Sequence, residues 1–215
     1  MQYKKEHKAP SHVYLVRHGV TEWNTLGKIQ GHTDIDLSPE GEQQALNLAK
    51  KFGHITFAAI YASDLLRARH TAEIMSQSFG LSVETTPKLR ERNWGEWEGR
   101  NIEEIRQAHG KILDEFIENP SIYEPVRMPG IAIVETYSQA LARVVPCLVE
   151  IAERHSGQNV LVVSHGGILR GLMQSFGHMD LPRPAFKNGD YLLLESDGCS
   201  LNLVYRVDEH LKKEG

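Results

Sequence analysis

Residues 159–172 read NVLVVSHGGILRGL, and they predict a buried β-strand that leads directly into an apolar helix. The run NVLVVS lacks polar alternation, which is typical of a strand covered on both faces in a parallel sheet. In such sheets, ligands bind beyond the carboxyl ends of the strands. We therefore expect His165 and Gly166, which follow this strand, to lie at a ligand-binding edge.

The segments around this stretch alternate between strand-like and helix-like patterns. Short apolar runs predict strands, and Ser38 followed by Pro39 predicts the start of a helix. Ser63 or Asp64 is expected to cap the next helix. This order predicts an α/β fold, a three-layer sandwich with a mostly parallel sheet and one antiparallel edge strand. The strand-like runs are His12–Arg17, Phe57–Ala62, Leu81–Thr85, Asn159–Ser164, and a C-terminal hairpin of Tyr191–Glu195 with Cys199–Val207.

One stretch interrupts this alternation. From Gly99 to about Pro129 the chain is charged, helix-prone and punctuated by prolines, with no strand pattern. We expect residues 92–134 to form a lid-like helical insertion over the candidate site. The whole chain, residues 1–215, is expected to form a single domain.

Composition limits the possible partners and compartment. The chain has 24 Lys and Arg against 28 Asp and Glu, a net charge of −4. We therefore expect neither nucleic acid nor a membrane as a partner, and any bound anion must be held locally. Cys147 and Cys199 are too few for a disulfide framework, which favours a reducing, cytoplasmic location. The C-terminal hairpin leaves a homodimer possible.

Four segments carry residues suited to chemistry on a phosphoryl group. Two of them lie at the carboxyl ends of predicted strands, Arg17-His18-Gly19 and Ser164-His165-Gly166. A third contains Arg67, in the first turn of a predicted helix, and the fourth, residues 89–99, contains a cluster of carboxylates. Arg supplies a planar fork of donors, and His can act as a nucleophile. Each segment alone is a weak signal, because a surface Arg-His pair or a capping histidine explains it equally well.

Together the four segments resemble the histidine phosphatase superfamily, whose members include phosphoglycerate mutases and small-molecule phosphatases. The blocks are VYLVRHGVTEWNTLGKIQGHTDIDLSPEGEQQA, ASDLLRARHTA, LRERNWGEWEG and VLVVSHGGILRGL, in that order. The resemblance spans nearly the whole chain. One segment departs from it, because residues 129–136 do not match the frequent PGGES pattern, so no role is transferred to Glu135.

The resemblance implies a role for each matching residue. His18 would accept the phosphoryl group, Glu91 would donate the proton, and Arg17, Arg67 and His165 would complete the phosphate pocket. The two arginines should keep His18 neutral, whereas a charged His165 would stabilise the transition state. No metal or other cofactor is implied. The matching substrate-binding positions are Arg17, Asn24, Gln30, Gly31, Arg67, Glu91 and Gly166.

Three functions remain open within this resemblance. Trp94 stands where the mutases usually have Tyr, and the insertion offers only the isolated Arg100, Arg106 and Arg127. These departures favour a metal-independent phosphatase acting on a small-molecule phosphate ester. A cofactor-dependent phosphoglycerate mutase is the alternative. A non-catalytic phosphate-binding relative is a second alternative, which is disfavoured because every expected site residue is present.

Overall fold

Six strands form a single sheet in the computed structural model, which describes residues 9–109, 134–178 and 186–206. The strand order across the sheet is β3-β2-β4-β1-β5-β6, and β1 to β4 run parallel to one another. The strands are β1 (Ser11–Arg17), β2 (Phe57–Ser63), β3 (Val83–Thr86), β4 (Asn159–Ser164), β5 (Tyr191–Ser196) and β6 (Leu201–Arg206).

The antiparallel pairing occurs at one side of the sheet, in the C-terminal hairpin. β5 pairs antiparallel with β1 on one side and with β6 on the other, so β6 forms the edge. The predicted mostly parallel sheet with an antiparallel edge is therefore confirmed. Its strand β4 has the bounds that the sequence predicts.

Helices cover both faces of the sheet, which confirms the three-layer arrangement. α2 and α3 pack on one face around Phe52 and Met75, and α5 and α6 pack on the other around Leu148 and Leu169. The helices are α1 (Glu22–Thr25), α2 (Pro39–Lys51), α3 (Leu66–Phe79), α4 (Ile102–His109), α5 (Tyr137–Arg154) and α6 (Gly166–Ser175). No helix within the described ranges is both long and apolar enough to cross a membrane.

The start of α3 differs from the sequence prediction. Its N-cap residue is Leu65, which makes no side-chain cap, and the carboxylate of Asp34 instead accepts a hydrogen bond from the Leu66 amide at 2.6 Å. Asp64 is used elsewhere, in a two-bond ion pair with Arg90 at 2.7 and 2.6 Å. The expected cap by Ser63 or Asp64 is therefore wrong, because a carboxylate from another loop occupies the helix start. By contrast, the predicted Ser38 cap of α2 is confirmed.

Only part of the expected insertion lies within the described residues. α4 packs through Ile105 into a small apolar cluster with Ile29, Trp97 and Val134. Residues 110–133, which include Pro120, Pro125 and Pro129, lie outside the described ranges. The lid-like role of residues 92–134 therefore stays a prediction.

Candidate active site

The candidate site lies at the carboxyl ends of β1 and β4, which are neighbours in the sheet. Arg17 pairs with Ser164 in the strand register, and the His18 amide donates to the Ser164 carbonyl at 3.0 Å. This pairing brings His18 and His165 together, with ring centroids 5.2 Å apart. The two histidines predicted from separate motifs therefore face one another at one sheet edge.

His18 is held in one tautomer. Its Nδ1 lies 2.7 Å from the Gly19 carbonyl oxygen. Because a carbonyl only accepts, Nδ1 carries the proton and Nε2 keeps its lone pair. Burial, with Arg67 and Arg17 nearby, holds the pKa of His18 well below its usual range. The ring is therefore neutral at neutral pH, as the sequence predicts.

The two arginines are anchored by backbone carbonyls. Arg67, which is buried, donates through Nη1 to Thr33 O at 2.9 Å and through Nη2 to Gly31 O at 2.8 Å. Arg17 donates through Nη1 to the carbonyl of Phe186. Burial lowers the pKa of Arg67 to about 10, so it remains charged at neutral pH. In the described part of the chain, the Nε atoms of Arg17 and Arg67 have no hydrogen-bond partner.

His165 differs from His18 in having no hydrogen bond to hold its ring. Its ring is fully buried, and neither nitrogen has a hydrogen-bond partner among the described residues. Burial, followed by the charge of Arg67, holds the pKa of His165 well below its usual range. The ring is therefore neutral in this structure, and the charge that the sequence analysis expects of His165 in the transition state stays a prediction.

Glu91 joins the site through its carboxylate. Its Oε1 accepts from the Arg92 amide at 2.8 Å, and its Oε2 accepts from the Gly167 amide at 2.8 Å in the first turn of α6. The approach to α6 is very close, since a Cβ added at Gly167 would lie 2.2 Å from Glu91 Oε1. Glycine at this position therefore allows the carboxylate to reach the helix N-terminus.

One cavity of about 620 Å³ connects these groups. Two predicted substrate-binding side chains differ in their hydrogen bonding. Among the described residues, Gln30 is buried and its Oε1 has no hydrogen-bond partner. Asn24 Oδ1, by contrast, accepts a hydrogen bond from the Thr21 amide at 3.1 Å. His165 is the one predicted site residue that does not line the cavity. The predicted residues that do line it are Arg17, His18, Asn24, Gln30, Gly31, Arg67, Glu91 and Gly166.

Sequence reasoning missed several residues of the cavity wall. The guanidinium of Arg92 is buried between two rings, 4.5 Å from the centroid of Trp94 and 4.0 Å from that of Tyr137. Asn188, which is not a lining residue, donates through Nδ2 to the His18 carbonyl at 3.0 Å. No local pattern marks the contacts of Arg92 with Tyr137 and of Asn188 with His18, because each joins segments that are far apart in the chain.

Apart from the predicted phosphate-site residues, the charged side chains that line the cavity are mostly basic, and we call this part of the lining the basic end. Lys28, Arg92, Arg106 and Arg170 line the cavity, and Glu103 is the acidic residue beside them. Arg106 forms an ion pair with Glu103. Within the described ranges, no three His, Cys, Asp or Glu side chains are grouped so that they could hold a metal ion.

Comparison with known proteins gives one consistent family. The family model described as the histidine phosphatase superfamily (branch 1) matches residues 13–209. A metal-independent phosphoserine phosphatase from Arabidopsis thaliana is 35% identical over 162 residues, covering 74% of this chain and 66% of the relative. A probable phosphoglycerate mutase, GpmB, from Escherichia fergusonii is 36% identical over 193 residues, covering 89% of this chain and 83% of the relative.

A solved structure agrees with this similarity. Mycobacterial glucosyl-3-phosphoglycerate phosphatase in complex with VO3 superimposes with a TM-score of 0.74 at 27% sequence identity. The match covers 91% of this chain and 98% of the solved chain. The fold is therefore shared over nearly the whole length of both proteins.

Proposed function

The chain belongs to branch 1 of the histidine phosphatase superfamily, and we propose that it hydrolyses small phosphomonoesters through a phosphohistidine at His18. Relatives named as phosphoserine phosphatase and glucosyl-3-phosphoglycerate phosphatase support phosphatase activity. The roles of the individual residues rest on the geometry of the site.

This proposal rests on one observation. Buried nitrogen atoms without hydrogen-bond partners lie around the neutral ring of His18, whose Nε2 keeps its lone pair. Within the described residues, Arg17 Nε, Arg67 Nε and both nitrogens of His165 have no hydrogen-bond partner. Buried polar groups normally have partners, so unsatisfied donors call for an explanation. The oxygens of a phosphoryl group would accept from the two Nε–H groups and from the one N–H that a neutral His165 ring carries, since each oxygen accepts several hydrogen bonds.

The reaction divides into two displacements at phosphorus. In the first, His18 Nε2 forms a bond to phosphorus as the bond to the ester oxygen breaks, and a protonated Glu91 gives its proton to the leaving oxygen. In the second, Glu91 takes a proton from water as the water oxygen attacks phosphorus and Nε2 is released. Throughout, Gly19 O holds the Nδ1 proton and so stabilises the charge on the phosphorylated ring.

Binding of the substrate would cause His165 to become protonated. Burial and Arg67 keep its pKa low in the structure, but a dianionic phosphate adds opposing charge next to the ring. We infer that His165 becomes protonated when the phosphate binds, and then donates to one of its oxygens. This recovers the predicted role of His165 with a different starting state.

The basic end of the cavity suggests the substrate class. We propose that the alcohol part of the substrate carries an anionic group, such as a carboxylate, which Arg170 and Lys28 attract. Arg170 lies in α6, and the first two residues of this helix, Gly166 and Gly167, line the same cavity. The names of the phosphoserine and phosphoglycerate relatives agree with this class.

Phosphate release from a small panel of esters tests the proposal. O-phosphoserine and 3-phosphoglycerate should each be hydrolysed with a kcat/KM about 10-fold above that of glycerol 3-phosphate, as expected for one added charge-assisted contact worth ~1.5 kcal/mol. Release without that preference would contradict the substrate class alone. No release from any monoester, with the protein folded and binding phosphate, would favour the non-catalytic alternative.

The mutase alternative needs a separate measurement, because relatives named phosphoglycerate mutase also match the chain. With 3-phosphoglycerate and a trace of 2,3-bisphosphoglycerate, we expect free phosphate as the product. Accumulation of 2-phosphoglycerate would establish the mutase instead. The same assay in EDTA should proceed at an unchanged rate if the phosphatase is metal-independent, and loss of activity restored by Mg²⁺ or Zn²⁺ would contradict that.

A further inference from the structure

We propose that Arg143 is a positioning residue that sets the place of the Glu91 carboxylate for proton transfer to the leaving group. This inference rests on the proposed function, because it assigns Arg143 to the acid step of that reaction. Arg143 lies in α5, outside the cavity, and its side chain does not line the space where a substrate would bind.

Every donor of the Arg143 guanidinium is used. Nη1 donates to Lys88 O at 2.9 Å and to Arg90 O at 2.7 Å, and Nη2 donates to Glu91 O at 2.8 Å. The remaining two donors bind the Glu135 carboxylate, Nε at 3.0 Å and Nη2 at 2.9 Å. Five bonds from one guanidinium match its five N–H groups.

The segment that carries Glu91 is anchored at each carbonyl by residues from other elements. Arg143 binds the carbonyls of Lys88, Arg90 and Glu91, and Ser164 Oγ at the end of β4 binds Leu89 O at 2.9 Å. The ring nitrogen Nε2 of His32 lies 2.7 Å from the same Glu91 carbonyl. Four consecutive peptide groups are therefore fixed, and three of them depend on Arg143.

Glu135 completes the same arrangement. Its Oε2 accepts from the Asn93 amide at 3.0 Å, and its own amide donates to Asn93 O at 2.8 Å. Arg143 and Glu135 therefore hold both ends of the Arg90–Asn93 segment. No role was transferred to Glu135 from the sequence, and the contacts give it one.

This precision matters because Glu91 has little freedom at its other end. The Glu91 carboxylate accepts from the Gly167 amide at 2.8 Å in a very close approach to α6. A small shift of the Glu91 backbone would break this contact and move the acid away from the leaving oxygen. Proton transfer depends strongly on such distances, since donor and acceptor must come within hydrogen-bond reach.

Arg143→Lys separates positioning from charge. Lysine keeps the positive charge but has three donors on a flexible stem, so it cannot hold three carbonyls and a carboxylate together. For an alkyl ester such as O-phosphoserine, whose leaving alkoxide needs a proton, we expect kcat/KM to fall about 10- to 100-fold, a partial loss of the roughly 10²- to 10⁴-fold that general-acid catalysis contributes. For p-nitrophenyl phosphate, whose leaving group departs without a proton, kcat/KM should change less than about 3-fold, because the same acid contributes little there.

Arg154→Lys is the matched control, because Arg154 is half-exposed near the end of the same helix and pairs with Glu150. It should leave both substrates unaffected. Glu135→Gln is a second variant with a milder change, because the amide keeps the shape of the side chain but loses one acceptor. Like Arg143→Lys, it should lower kcat/KM for O-phosphoserine relative to kcat/KM for p-nitrophenyl phosphate. Thermal unfolding of each variant checks that it is folded.

The outcomes are distinguishable. An equal fall for alkyl and aryl esters in both variants, or no fall for either ester, would overturn the positioning role while leaving the phosphatase intact. A wild-type protein that releases phosphate from neither ester would instead overturn the proposed function. A selective fall for the alkyl ester supports the inference.

Discussion

The two ends of the cavity are built differently. At the phosphate end, His18 and His165 follow adjacent parallel strands, and Arg67 is fixed by two backbone carbonyls. At the leaving-group end, Arg92 is held by stacking on Trp94 and Tyr137, which come from separate segments. The first end depends on sheet register, whereas the second depends on side chains packing across long loops.

This difference suggests that the two ends of the cavity have different functions. A site fixed by backbone hydrogen bonds keeps one geometry, so it suits the step that every substrate shares. A site formed by side chains can change its shape and charge with single substitutions, which suits the choice of substrate. Substitutions at the phosphate end should therefore lower turnover of all esters, and substitutions at the other end should change the preference among them.

Arg67→Lys should have the largest effect of the substitutions that test this comparison. Lysine has its three donors on a single nitrogen, so it cannot span Gly31 O, Thr33 O and the phosphate as the planar guanidinium does, and transition-state stabilisation should fall. We expect kcat/KM to drop by roughly 10²- to 10³-fold, the usual cost of losing one such donor. Steady-state kinetics with O-phosphoserine and with p-nitrophenyl phosphate measure it, and the two losses should be similar.

The control for Arg67 lies two residues further along the same helix. Arg69 is exposed and pairs with Glu73 one turn away, so Arg69→Lys should leave kcat/KM within about 2-fold of the wild type, as surface pairs contribute little. If Arg67→Lys lowered kcat/KM much more for one ester than for the other, the proposed difference between the two ends would be contradicted, because Arg67 would then act on the leaving group.

Arg170→Gln should have a smaller and more selective effect. Arg170 lines the basic end of the cavity, and its loss should remove attraction for a carboxylate on the alcohol. We expect kcat/KM for O-phosphoserine to fall by about 10-fold, the equivalent of ~1.4 kcal/mol, with little change for p-nitrophenyl phosphate. Equal losses for both esters would show that Arg170 acts on the phosphate instead.

A further prediction concerns stability and depends on pH. The pKa values of His18 and His165 lie well below the usual 6.5 in the folded chain because both rings are buried, with Arg67 as a further cause. The unfolded chain therefore binds more protons as the pH falls through 6.5, and stability should decrease in that direction. Each histidine should contribute up to about 1.4 kcal/mol per pH unit below 6.5.

Urea unfolding between pH 7.5 and pH 5.5 measures this dependence. His165→Asn should give a shallower decrease than the wild type, because one of the two groups is removed. Added phosphate should also flatten the wild-type curve, since the anion favours protonation of His165 in the folded state. Identical slopes in the wild type and the variant would contradict the neutral state of His165.

Much of the phosphate end could be predicted from the sequence, for a physical reason. Arg17 ends a strand, and His18 and His165 each directly follow a strand with a clear apolar run; parallel strand ends meet at one edge of a sheet. The strand assignments and the Ser38 cap also rest on local patterns, which need no knowledge of distant contacts.

The features that could not be predicted all depend on contacts between distant segments. The Asp34 carboxylate at the start of α3, the stacking of Arg92 on Tyr137, and the five bonds of Arg143 leave no local pattern. The low pKa of His165 could not be predicted for a related reason, since burial is a property of the folded chain. The sequence showed which groups were present but not how deeply they were enclosed.

The most direct test of the central proposal is the identity of the phosphorylated residue. The protein is mixed with a ³²P-labelled phosphomonoester, quenched in alkali within milliseconds, and digested to locate the label. The account predicts label on His18 in the wild type and in a control variant at the exposed His54, and no label in His18→Ala. Label retained in His18→Ala, or found on another residue of the wild type, would contradict it.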